Sequence, residues 1–180
     1  MPSEGRPELA ERVEHGGRGH LARENRRLRD ELRRAQRMAG GHDSLQLARV
    51  SPEALLEEVE AELVDLCKDA RVELWTRVAP DLPPFLADSA LLRTALLNVV
   101  EHALAAAGDD GELSIELERV HGEGGSFALL RVSDRGGSTT SDTLSLTIAS
   151  GIAHDHGGRL LIEDNPTGGM AVTLEIPLVE

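Results

Sequence analysis

Hydrophobic positions along this chain change period several times, and each change marks an element. From Asp88 to Ala107 the apolar residues return at helical spacing, with Leu92, Ala95, Leu96, Val99, Ala103 and Leu104 on one broad face. Asp88 stands as the N-cap and Gly108 as the stop. Thr94, Asn98, Glu101, His102 and Ala105 fall on the opposite stripe, because residues three and four apart share a face. Upstream, Ser51-Pro52 opens another helix whose buried face is Leu55, Leu56, Val59, Leu63, Leu66 and Ala70, the rest being mostly Glu and Asp. Residues 72–78 alternate as a strand carrying Trp75, and Phe85 to Ala87 form a short strand after Pro80, Pro83 and Pro84. Leu113, Ile115 and Leu117 alternate on one further strand and Ala128, Leu130 and Val132 on the next, joined by turn residues 121–125. A glycine and hydroxyl loop over 134–142 leads to a helix over 144–154, ended by Gly157-Gly158. A last hairpin, 160–163 with 171–176, turns around Asn165 to Gly169. This order predicts a two-layer α/β sandwich, a mixed sheet with helices on one face, over residues 50–180.

The first fifty residues have a different character. Residues 1–20 are rich in Gly, Glu, Pro and Arg and have the composition of a flexible terminus. Over 21–49 an Arg-rich helix and linker follow. There Leu21, Leu28 and Ala35 take d positions and Asn25 and Leu32 take a positions of a short heptad array. Such a seam predicts a parallel homodimer, with Asn25 fixing the register; the competing expectation is a helix packed on its own domain. Charge divides at the same place. Residues 1–49 hold 11 Arg against 8 acids, a net of +3, whereas residues 50–180 hold 8 basic residues against 24 acids, a net of −16. An acidic domain of this kind is expected to have no nucleic-acid partner, since phosphate binding needs clustered Lys and Arg.

Aromatic residues make up only 2% of the chain, so Leu, Val, Ile and Ala must build the core. The single cysteine, Cys67, excludes an internal disulfide and a cysteine-rich metal site, and is expected as a small buried hydrophobe. The N-terminus lacks the apolar core of a signal peptide, and no apolar run was expected to reach membrane-spanning length. Those features lead to the expectation of a cytoplasmic protein with no membrane partner.

Three stretches in this order resemble the catalytic and ATP-binding domain of sensor histidine kinases, within the GHKL ATPase superfamily. LPPFLADSALLRTALLNVVEHAL is similar to that family's entry strand and N-box helix, and VSDRGG to its first glycine box. IAHDHGGRLLIEDNPTGGMAVTLEIPL is similar to the C-terminal helix, HGG turn and closing hairpin. The resemblance runs from about Val50 onward and implies the fold. It also implies that Asp134, with Gly136, occupies the place where relatives receive the adenine amino group.

Several positions depart from the family pattern. Asn98 matches the first polar position of the N-box, but the second, an Asn holding Mg²⁺ in relatives, is His102. Magnesium wants hard oxygen ligands, which imidazole replaces poorly. The next glycine expected after Gly136 is Ser138, and the second glycine box reads Thr143-Leu144-Ser145-Leu146. Glycines there let backbone N–H groups approach phosphate at a helix N-terminus; Thr143 and Ser145 keep the helix start but add side chains. Only Arg135 to Asp142 separates Asp134 from Thr143, where relatives carry a long lid. No phosphoacceptor context surrounds His15, His20 or His42, and His154 and His156 suggest a structural helix cap, with no metal site expected.

The expected function is therefore a non-catalytic, kinase-like signalling module acting by protein contact. Its partner would be a response regulator, a kinase or a transcription regulator, and no cofactor is expected. The alternative is a divergent ATP- and Mg²⁺-binding histidine kinase or an anti-sigma-factor-type kinase; a second alternative is a histidine phosphotransfer protein.

Overall fold

The structure, a computed structural model, describes residues 45–108, 110–122, 124–136, 143–166 and 168–178. The chain divides between Ser44 and Leu45, and the fold below is that of the unit Leu45–Glu180. The heptad residues Leu21, Asn25, Leu28, Leu32 and Ala35 lie outside the described residues, as do His15, His20, His42 and Ser138.

Elements follow in the order β1 (Ala48–Val50), α1 (Pro52–Asp69), β2 (Glu73–Val78), β3 (Phe85–Ala87), α2 (Ser89–Ala107), β4 (Glu112–Gly122), β5 (Gly125–Asp134), α3 (Thr143–Asp155), β6 (Arg159–Asp164) and β7 (Met170–Leu178). A five-stranded sheet has the order β2-β4-β5-β7-β6, parallel only between β2 and β4. Strict alternation builds its inner layer. Leu113, Ile115 and Leu117 on β4, and Ala128, Leu130 and Val132 on β5, are each at most 1% exposed. Ser114, Glu116, Arg131 and Ser133 fall on the other face by the same parity. The α/β sandwich read from the sequence is the fold observed.

The core is assembled from small residues. Ala95 and Ala103 of α2 and Ala149 and Ala153 of α3 are all buried, and the two helices pack on each other extensively. Short side chains at a helix contact allow close axial approach, so an aromatic-poor chain can still fill its interior.

Four features differ from the sequence expectations. Residues 48–50 are not linker but β1, which pairs antiparallel with β3 as a separate two-stranded sheet. Three residues are too few for alternation to reveal a strand. On α1 the buried row is Leu56, Val59, Leu63 and Cys67, whereas Leu66 is 48% exposed and Ala70 is the half-buried C-cap. Leu66 sits one turn after Glu62, which pairs with Arg93 of α2 at the rim of the contact, and Cys67 takes the inner position. On α2, His102 is only 2% exposed although it was placed on the polar stripe, and Val100 and Ala106 are buried beside it while Leu104 is half-buried. The helix has partners on more than one side, so a two-face reading underestimates its burial. Finally, α2 does reach spanning length, with 19 residues of mean hydropathy 1.3. Its packing against α1, α3, β4 and β5 identifies it as the central core helix.

Capping ties the layers together. Ser51 Oγ accepts from the Ala54 N–H at 3.3 Å and donates to Glu53 at 2.7 Å. That hydroxyl, with a backbone N–H, holds the Glu53 carboxyl below the usual carboxylate range. Asp88 Oδ1 accepts from Leu91 N–H at 3.1 Å at the start of α2, and its Oδ2 accepts from Gln46 N–H at 3.0 Å. The Asp88 N–H donates to His156 Nε2 at 3.0 Å, while His156 Nδ1 donates to the Ile152 carbonyl at 2.8 Å. One neutral imidazole thus joins the C-terminal end of α3 to the N-terminal cap of α2. Replacing it, His156→Ala, should lower unfolding stability by about 1–3 kcal/mol, because a part-buried donor and acceptor lose their partner. Urea titration followed by far-UV circular dichroism measures this.

A second readout follows from Cys67, whose thiol burial pushes upward from its ordinary pKa. Thiolate is the reactive form, so native Cys67 should react with a thiol reagent much more slowly than the same residue in urea. Equal rates in both states would show that α1 does not hold its inner row.

Candidate functional site

Parity on β5 sets the centre of the site. Positions 128, 130 and 132 face the helices, so Asp134 at the strand end faces them too, and it is 3% exposed. A carboxylate withdrawn from water needs donors, and here the main chain supplies them. Oδ1 accepts from the Gly136 N–H at 2.9 Å and Oδ2 from the Met170 N–H at 3.3 Å. The Asp134 carbonyl oxygen accepts from Asn165 Nδ2 at 3.0 Å. Three segments therefore converge on one residue: the end of β5, the turn after β6 and the start of β7.

Two glycines make that convergence sterically feasible. A Cβ on Gly136 would run into the carbonyl oxygen of Ala106, with the Cα of Ala107 only 2.8 Å away. Gly169 has φ +79°, and a Cβ there would press on the Oδ1 and carbonyl oxygen of Asp134 itself. Asp134 and Gly136 stand out in the sequence, whereas Asn165 and Gly169 read there only as turn residues. Their partner lies more than thirty positions away, |i−j| = 31 for Asn165, and a turn signature carries no information about such a contact.

The row Asn98, His102, Ala106 on α2, each four residues apart, leads to the place where Gly136 abuts the helix end. Gly136, hydrogen-bonded to Asp134, thus meets the end of α2 in the same row as Asn98 and His102. Asn98 Nδ2 donates to the Thr94 carbonyl at 2.8 Å. Ser145 is buried in the first turn of α3, at 8% exposure. For Thr143 the backbone position at the start of α3 is described.

These residues can be compared with the needs of an adenine nucleotide and its metal. The adenine end fits. Asp134 is a buried acceptor fixed by backbone donors, and two main-chain N–H bonds leave further lone pairs on its oxygens for an exocyclic amine. The metal end fits less well: Asn98 offers one side-chain oxygen, and one turn further along α2 stands the buried imidazole of His102, a nitrogen where magnesium favours oxygen.

Comparisons with known proteins agree with this architecture. Residues 87–180 match the family model described as histidine kinase-, DNA gyrase B-, and HSP90-like ATPase. The adaptive-response sensory kinase SasA of Parasynechococcus marenigrum (strain WH8102) is 30% identical over 156 residues, covering 74% of this chain and 39% of that protein. The C4-dicarboxylate transport sensor protein DctB of Rhizobium meliloti (strain 1021) is 28% identical over 162 residues, covering 78% and 24%. The chain therefore spans well under half the length of these curated relatives. Among solved structures, the catalytic domain of the histidine kinase ThkA aligns with TM-score 0.64 at 20% identity, covering 74% of this chain and 96% of that one. Full-length ShkA in complex with AMPPNP aligns at 0.65 and 25% identity, covering 79% and 33%.

The arrangement around Asp134 generates a prediction. Gly136→Ala should force the end of β5 away from α2, costing about 1–3 kcal/mol by overpacking and displacing the Asp134 carboxylate. The expected signature is a lower thermal midpoint together with shifted amide resonances for Met170 and Asn165. The match over residues 87–180, the resemblance to two-component sensor kinases and the shared fold lead to one conclusion: this chain belongs to the histidine kinase-, DNA gyrase B- and HSP90-like ATPase family.

Proposed function

We propose that this domain is a kinase-like signalling module that keeps an adenine-facing aspartate but does not carry out magnesium-dependent phosphoryl transfer. The observation that carries the proposal is His102, buried at 2% exposure on α2 one turn beyond Asn98. It fills the place at which an oxygen ligand to Mg²⁺ would be needed. Without that ion, the charge of a triphosphate meets a domain whose own net charge over residues 50–180 is −16. Thr143 and Ser145, in place of glycines, weaken the phosphate cradle further. No step of phosphoryl transfer is therefore assigned to these residues, and no cofactor beyond a weakly held adenine group is proposed.

Signalling then proceeds by contact. The solved complex of the histidine kinase ThkA with the response regulator protein TrrA, which aligns with TM-score 0.66 and 18% identity over 98% of this chain and 53% of that one, supports a response regulator as the class of partner. The cytoplasm is the proposed compartment, as for the cytoplasmic segment of the histidine kinase QseC, which aligns with TM-score 0.65 at 15% identity. A second reading, a divergent ATP-binding kinase, is favoured by the intact hydrogen bonding of Asp134.

Calorimetry separates the two. ATP should bind weakly, and magnesium should change its affinity by less than about tenfold, or ~1.4 kcal/mol. Micromolar, magnesium-dependent binding that disappears in Asp134→Asn would establish the kinase reading instead. Homodimerisation is proposed through the seam of Leu21, Asn25, Leu28, Leu32 and Ala35. Sedimentation of the full chain should give a dimer at about tens of micromolar, in the range of weak association, and deletion of residues 1–42 a folded monomer.

A further inference from the structure

The face of the sheet opposite the helices carries a groove of about 220 Å³ that shares only Asn165 with the site around Asp134. Its floor is the paired β4 and β5, with Ser114 directly opposite Ser133 and Glu116 directly opposite Arg131. Glu112 and Arg135 close one end, joined by an ion pair of 2.7 Å. The groove is therefore a mixed-charge floor with two hydroxyls at its centre.

The disposition of Arg131 is the informative feature. Glu116 stands across from it, yet Glu116 is engaged instead by Arg77, at 3.6 Å. Arg131 leans along its own strand, where Nε donates to Ser133 Oγ at 3.4 Å, the only hydrogen bond of its side chain among the described residues. Both terminal nitrogens of this half-buried guanidinium thus line the groove without an acceptor among the described residues. A guanidinium fork presented in this way matches a carboxylate, which it holds through two parallel bonds. Phosphate suits the same fork, but Glu112 and Glu116 flank it, and two carboxylates repel a dianion. They do accept from an ammonium group, and Glu116 is held only by a long, solvent-exposed pair with Arg77.

The geometry points to a binding site for a small zwitterion, carrying one carboxylate and one ammonium group as an α-amino acid does. The carboxylate lies on Arg131 with the hydroxyls of Ser114 and Ser133, and the ammonium lies toward Glu116. A volume of about 220 Å³ is of the size such a molecule needs. The site lies behind the adenine-facing aspartate, since Asn165 lines the groove and also donates to the Asp134 carbonyl.

The test uses the full chain with individual L-amino acids, acetate, methylammonium and inorganic phosphate as probes. Trp75 is 57% exposed on β2 in register with Ser114, so its fluorescence reports on the groove, alongside the amide resonances of Ser114, Arg131 and Ser133. At least one amino acid should saturate these signals at millimolar concentration, whereas acetate and methylammonium alone should not. Arg131→Gln and, separately, Glu116→Gln should each weaken binding by about tenfold or more. Glu116→Gln changes a surface side chain, so its effect does not depend on refolding, and circular dichroism checks both variants. The inference is overturned if no amino acid saturates the signals, if acetate or phosphate binds as tightly as the amino acid, or if neither variant weakens it.

Discussion

A buried carboxylate at the end of a strand imposes more on this chain than any other single group. Asp134 is withdrawn from solvent, and an ionised group in that position costs several kcal/mol unless hydrogen bonds meet it. The donors are backbone N–H groups of Gly136 and Met170, which come from segments far apart in sequence. Bringing them together requires the start of β7 to lie against the end of β5 and the chain after Asp134 to press on the last turn of α2. Gly136 and Gly169 are then steric necessities, because a side chain at either position would occupy space already filled by backbone or by Asp134.

The same constraint explains why α2 must be so apolar. A helix that touches β4, β5, α1 and α3 has little surface left for solvent, and its buried residues extend beyond one stripe. Its orientation is set at the other end, where Asp88 caps the helix and binds Gln46, while His156 of the turn after α3 accepts from the Asp88 backbone. The helix is anchored at its start by a hydrogen-bonded network and at its end by steric contact with Gly136. Between those two points lie Asn98 and His102. Large-to-small changes along its inner row, such as Leu96→Ala, would be felt at both ends, at a typical cost of about 2–5 kcal/mol.

Much of the fold was legible because its signals are local. Alternation named β4 and β5 and helical spacing named α2, whereas Asp134, read as the start of a loop, proves to be the inward-facing end of β5. What was not legible depends on tertiary partners. Leu66 and Cys67 are adjacent on α1, and only the position of α2 decides which is covered. The strand of residues 48–50 exists because Phe85 to Ala87 offer it a partner, with nothing in its own short pattern to announce it. His102 is polar in sequence and buried in structure, and periodicity alone cannot tell a solvent-facing stripe from one that a third element covers. Asn165 carried a turn signature that concealed its long-range bond to Asp134.

On the proposed reading, the two ends of the nucleotide region are held by different physics, which lets one persist without the other. The Asp134 carboxylate accepts from the Gly136 and Met170 N–H groups just beyond the last β5–β7 pair, Ser133 with Ala171, so losing it would leave those donors unmet at a strand end. Selection for stability alone would preserve it. On the proposed reading the metal end rests on Asn98 and His102, side chains of α2 and not of the sheet. There the imidazole of His102, where the family pattern has an amide, is accommodated in the packed helix at 2% exposure. A domain under pressure to keep its shape but not to transfer phosphate would change in that order, with the metal ligand going first and the adenine-facing aspartate remaining as part of the scaffold.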